Sequence, residues 1–129
     1  MLIPATCECR RFLGLYSYPD TSAVRGKPEF LDETRDTLVN PNLIVEVLSP
    51  STEAYDRGRK FELYQSIPSF TEYVLLSSDR VHADLYIRQP SGLWLRSSFG
   101  ELEHVLVLES VGCHLKLADL YEKVEFEPA

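Results

Sequence analysis

The chain has 129 residues, 44% of them hydrophobic, and its 13 Lys and Arg stand against 20 Asp and Glu for a formal net charge of -7. That is enough for one domain, read as spanning 1–129, with a core of its own, and it argues against disorder, a repeat array, or binding of nucleic acid through a broad basic surface. No apolar run approaches the roughly 20 residues of a membrane-spanning helix, and the start, MLIPATCECRRF, lacks the basic and apolar parts of a secretory signal, so the default placement is cytoplasmic.

Cys7, Cys9 and Cys113 are too few and too oddly spaced for a disulfide framework. With His114 they match no common zinc spacing, and reduced, structurally ordinary cysteines are the expectation.

In chain order, residues 18–24 read as a short strand with Pro19 at its start, where a missing amide donor is tolerated. Residues 28–41 are charged and irregular, a loop that ends at Asn40-Pro41. Residues 42–49 are apolar on both faces and β-branched, as in a strand buried on both sides. Pro50 stops it, and Ser51-Thr52-Glu53 signals the start of a helix over 52–66, with Phe61, Tyr64 and Ile67 on its buried face and Pro68 at its end. Strands follow at 70–77, 81–88, 93–97, 105–108 and 113–117, with a turn at Pro90-Ser91-Gly92 and a short terminal helix at 118–123. The expected fold is an α/β (α+β) domain with one main helix packed on a mixed sheet.

Glu46 stands in the middle of Leu-Ile-Val-Glu-Val-Leu, where a carboxylate is costly to bury alone. It is either paired, protonated or metal-bound, or it reaches solvent or an arginine at a strand end. Asp20 is a turn or cap residue, or a second site acid. Lys60 follows Asp56 by four residues, which suits an exposed helical ion pair. Yet it borders the buried face, and its stem can run along the sheet to deliver the ammonium to the carboxylates. Together, two strand carboxylates and a helix lysine are the parts of a phosphodiester hydrolase. The acids suit Mg2+, which takes one or two carboxylates and keeps its waters, and the lysine suits a water or a charged phosphate. An acid–base pair without metal would leave Lys60 unexplained.

Ser49 and Ser51 are expected as capping residues, His82, His104 and His114 as ordinary histidines, Trp94 as sheet packing, and Arg57 and Arg59 either as phosphate contacts or as a solvated helix face.

The segments YPD and NPNLIVEVLSPSTEAYDRGRKFELYQSIPSFTEYVLL resemble the Uma-type restriction endonuclease domain of the PD-(D/E)XK nuclease superfamily, and GCHLKLADLYEKVEF continues the likeness more loosely. The resemblance implies a restriction-endonuclease-like fold and a Mg2+- (or Mn2+-) dependent endonuclease acting on DNA. Asp20 and Glu46 are then the motif's two acids. Its usual lysine falls at Leu48, and Lys60 on the next helix takes that role. The carbonyl of Val47 becomes a further metal ligand, with Tyr64 and Gln65 as secondary candidates. Compared with the family pattern the domain reads as N-terminally shortened. That implies an open sheet edge and a homodimer or a marginally stable monomer, and it leaves a catalytically inactive remnant serving binding or assembly as the alternative.

Overall fold

The computed structural model describes residues 2–3, 8–10, 16–17, 21–25, 29, 37–38 and 40–122. Its strands are β1 (Leu2–Ile3), β2 (Glu8–Arg10), β3 (Tyr16–Ser17), β4 (Thr21–Ala23), β5 (Thr37–Leu38), β6 (Leu43–Leu48), β7 (Glu72–Ser77), β8 (Ala83–Arg88), β9 (Trp94–Phe99), β10 (Val105–Leu108) and β11 (Cys113–Lys116). The main helical segment joins an α turn, α1 (Glu53–Tyr55), a π turn, π1 (Asp56–Lys60), and a second α turn, α2 (Phe61–Tyr64); a short α3 (Leu117–Leu120) comes late.

Six strands form the central sheet in the order β1-β4-β6-β7-β8-β9. β6 and β7 run parallel, with Glu46 opposite Leu75, while the other pairs are antiparallel. A parallel pair needs a crossover, and the helical segment between β6 and β7 supplies it. The expected mixed sheet with one main helix is therefore the observed α+β architecture.

Side chains alternate between the two faces along each strand. On one face Ile44, Leu48, Tyr73 and Leu75 pack with Phe61, Tyr64, Ile67 and Phe70 of the helix and the turn after it. Phe61 sits at the middle of this aromatic layer, stacked on Tyr73 at 4.7 Å and edge-on to Trp94 at 5.0 Å. On the other face Leu43, Val74, Ala83 and Leu85 meet Leu106, Leu108 and Leu117 from the β10–β11 hairpin and α3. Cover on both faces explains why the β6 sequence is apolar almost throughout. The hairpin itself shows the one-sided alternation, with Leu106 and Leu108 buried and Val105 and Val107 exposed.

Two glycines set the turns. Gly92 (φ 89°) follows Pro90 and Ser91 between β8 and β9, and Gly112 (φ 64°) closes the one between β10 and β11. Both backbones lie where a side chain is disfavoured.

The structure refines the expected helix in two ways. It is interrupted by the π turn, which no residue pattern announces. No side chain caps it at Thr52. The hydroxyls of Ser49, Ser51 and Thr52 instead bond to one another, Ser49 to Thr52 at 2.9 Å and Ser49 to Ser51 at 3.0 Å.

Candidate functional site

Glu46 is only 2% exposed and its carboxylate faces the helix side of the sheet, two positions from Ile44 and two from Leu48. Such a charge persists in an apolar layer only when paired and hydrogen-bonded. Lys60 Nζ lies 3.0 Å from Glu46 Oε1, and the Tyr64 hydroxyl donates to the same oxygen at 3.1 Å. Lys60 also lies 3.4 Å from Asp56 Oδ1. Lys60 does pair with Asp56 one turn back, but the pair is largely buried and not the exposed helical ion pair that the spacing suggests, and the same ammonium reaches the strand carboxylate Glu46. Burial disfavours the ammonium, but Glu46 and then Asp56 outweigh that and hold its pKa above the ordinary lysine value.

The π turn explains how so many charged residues face inward. Of its five residues Asp56 is buried and Arg57 and Lys60 are half-buried, while Gly58 and Arg59 stay exposed. A widened turn upsets the regular backbone bonding of the helix. The Tyr73 hydroxyl compensates by donating to the Asp56 carbonyl at 3.0 Å. That hydroxyl is buried close to Glu46, and both effects raise its pKa well above that of a free tyrosine.

A second ionic group adjoins the first. Asp84 of β8 is fully buried and lies 2.6 Å from Arg57, 3.3 Å from Arg96 and 3.1 Å from His82 Nε2, and it accepts a 2.6 Å bond from the Ser98 hydroxyl. Burial pushes its carboxyl pKa up, but the Ser98 hydrogen bond and the Arg57 and Arg96 charges hold it below the ordinary value. Here the sequence reading needs correction. Arg57 is no solvated face residue; it is locked onto the sheet. Asp84 went unnoticed, although a carboxylate between Ala83 and Leu85 in a strand is the same signal that singles out Glu46. His82 is a satisfied histidine and Trp94 packs on the sheet, as expected.

The remaining candidates are placed as follows. Val47 points its side chain to the opposite face, 49% exposed, with its backbone in register with Leu76. Tyr64 is brought to Glu46. Gln65 ends the helix, and its carbonyl accepts from Arg88 at 2.7 Å. Asp20 and Cys7 lie outside the described residues.

Glu46 and Asp56 present hard oxygen donors of the kind that suit Mg2+ or Mn2+. Among the described residues no three Asp, Glu, His or Cys side chains converge as a metal-binding group. The chemistry of the Glu46 carboxylate fits a divalent ion that takes few protein ligands. No helix among the described residues is long and apolar enough to cross a membrane.

Comparison with known proteins gives the family and the fold. The profile of the Uma2 family, described as "Putative restriction endonuclease", matches residues 2–118. The chain is 40% identical over 111 residues to the uncharacterized protein slr1290 of Synechocystis sp., covering 86% of this chain and 57% of that protein. It is 35% identical over 80 residues to the uncharacterized protein sll1609 of the same organism, covering 62% of this chain and 45% of that one. It thus spans about half the length of these relatives. A crystal structure from Anabaena variabilis, described as a "putative nuclease belonging to DUF820", superposes with a TM-score of 0.70 over 96% of this chain and 69% of its own at 17% identity, which is a likeness of fold.

Proposed function

The chain belongs to the Uma2 family of restriction endonuclease-like proteins, and from that premise we propose that it is a Mg2+- or Mn2+-dependent endonuclease hydrolysing DNA phosphodiester bonds, with Asp20, Glu46 and Lys60 as its catalytic residues. The observation that carries this reading is the buried Glu46 carboxylate met by the Lys60 ammonium at 3.0 Å. Placing a charge pair in an apolar layer costs several kcal/mol of desolvation per ion, far more than an exposed pair returns. A merely structural sheet would do better with two apolar side chains.

Asp20 rests on the family resemblance of the YPD segment. Asp20, Glu46 and the Val47 carbonyl would hold the metal. When bound, that ion supplies Lewis-acid neutralisation of phosphate charge. The chain's own residues do the rest. Tyr64 fixes the rotamer of Glu46. Lys60, tethered by Glu46 and Asp56, keeps a third ammonium hydrogen to offer a phosphate oxygen or the attacking water. An edge strand, β9, closes one side of the sheet, and a homodimer would place two such sites on the two strands of a duplex.

The net charge of -7 favours a second reading, a nuclease fold kept as a binding or assembly module. Calorimetric titration of Mn2+ into the wild type and Glu46→Ala, followed by plasmid cleavage, separates the two. Saturable binding that vanishes in the variant, with nicking lost in Glu46→Ala and reduced to a low but measurable rate in Lys60→Ala, supports the endonuclease. A wild type that binds no Mn2+ and cuts no plasmid sinks it in favour of the module.

A further inference from the structure

The proposed chemistry leaves the Asp84 cluster without a task. This cluster is elaborate for a structural contact: a carboxylate with no exposed surface that is served by two arginines, a histidine and a serine. Its chief partner, Arg57, is held from three sides. Arg57 NH2 meets Asp84 at 2.6 Å, its Nε lies 3.4 Å from Glu53 Oε2, and its NH1 donates to the Tyr86 hydroxyl at 3.3 Å.

Arg57 belongs to the same π turn as Lys60. That turn docks on the sheet at three points: the Asp56 carbonyl to Tyr73 of β7, Arg57 to Asp84 of β8, and Lys60 to Glu46 of β6. The points are aligned by register. Glu46 is opposite Leu75, and Leu75 is opposite Asp84, so both carboxylates stand in one row on one face. Two strand spacings separate them, about 10 Å. A π turn is uncommon and persists where its surroundings hold it. Releasing the Arg57 anchor lets the turn relax toward a regular α-helix, which rotates Lys60 relative to the sheet.

We propose that Asp84 is a positioning residue for Lys60: through Arg57 it holds the π turn in the register that delivers the Lys60 ammonium to Glu46. The consequence for rate rests on the endonuclease reading; the consequence for geometry does not.

The test uses Asp84→Asn, which keeps the shape and the Ser98 contact but removes the charge, and Arg57→Lys, which keeps the charge but loses the fork. Plasmid cleavage by Asp84→Asn should fall on the order of 10²-fold in kcat, the size of loss that follows a misplaced catalytic group, with KM for DNA held. Arg57→Lys should reproduce part of that loss. In a Lys60→Ala background neither substitution should slow the reaction further, because residues acting as one unit are not additive. Full multiplicative losses in that background would show a general structural role and overturn the proposal. A second readout needs no activity. In 15N-lysine spectra the Lys60 ammonium, held by two carboxylates, should give a slowly exchanging signal in the wild type that broadens away in both variants. A signal unchanged in both variants overturns the proposal even if the enzyme cuts. A signal lost in both, in a protein that never cuts DNA, overturns the endonuclease reading alone and leaves the positioning role in place.

Discussion

The two faces of the central sheet each bury carboxylates, and they treat them differently. On the helix side Glu46 and Asp84 are each met by at least one cation within about 3 Å. On the hairpin side Glu72 of β7 is as deeply buried, at 2% exposure, but its Oε1 accepts from the Ser110 amide at 2.8 Å, and its Oε2 has no hydrogen-bond partner among the described residues. The fully buried side chains of the hairpin-side cluster are aliphatic, with Phe99 and Tyr121 packed at its rim. The difference shows where the polar groups are concentrated: among the described residues opposed charges, a π turn and an aromatic layer are gathered on one face, while the other is mainly apolar packing around the acid Glu72. Substitutions on the two faces should therefore differ in kind and not merely in size.

The largest effect is expected from Phe61→Ala. Its ring touches Tyr73, Tyr86, Trp94 and Phe70 with centroids between 4.7 and 6.3 Å, and opening that cavity should cost about 3–5 kcal/mol in urea denaturation. Phe61 directly follows Lys60, so Mn2+ affinity should fall as well. Leu106→Ala on the hairpin face is the matched control. It should cost about 2–5 kcal/mol and leave Mn2+ binding unchanged. Equal damage to Mn2+ binding from both would show that the faces are not separate.

Acid should reveal the next difference. Asp84 is held below the ordinary carboxylate value of 3.8. Its stabilising contribution is therefore fully present above that value and is lost as pH falls through its lower folded value. The gap in melting temperature between wild type and Asp84→Asn should be wide at neutral pH and should close only in strong acid. A gap that has already closed by about pH 5 would mean that Asp84 is not held as the charged partner of Arg57.

A smaller effect is expected from Tyr73→Phe, which removes the donor to the Asp56 carbonyl. The loss of one buried hydrogen bond should be about 1 kcal/mol, more if the carbonyl finds no water. Hydrogen exchange of the amides of 56–61 should rise more than that of the β10–β11 hairpin.

Much of this contrast was legible before any coordinates. The unbroken apolar run around Glu46 announced a strand covered on both faces, and β6 differs from its expected span by a residue at each end. Phe61, Tyr64 and Ile67 were read as one buried face, and all three are buried. What stayed hidden depends on contacts distant in sequence. The π turn has no pattern of its own, because it exists through Tyr73, Asp84 and Glu46, which lie on three different strands. Arg57 looked solvated because nothing local shows that β8 and β9 lie beneath it. Asp84 is a different case: its place between Ala83 and Leu85 is visible in the sequence, but its partners Arg57, Arg96 and Ser98 are distant in the chain. Asp20 lies outside the described residues, and the resemblance alone carries it.

The smallest expected effect is also the sharpest test of the contrast. Glu72→Gln keeps an acceptor for the Ser110 amide and replaces an uncompensated buried oxygen of a carboxylate by a neutral amide, which is cheaper to desolvate. Its stability should stay within about 1 kcal/mol of the wild type or exceed it. The same change at Glu46 keeps an acceptor but removes the charge that Lys60 answers, leaves Asp56 as the charged partner of that ammonium among the described residues, and should destabilise, because losing one charge of a buried pair leaves the other undercompensated. Paired urea denaturation of the two variants gives the comparison directly. If Glu72→Gln proves the costlier, the hairpin face holds a charge of its own that matters, and the division between a working face and a packing face gives way.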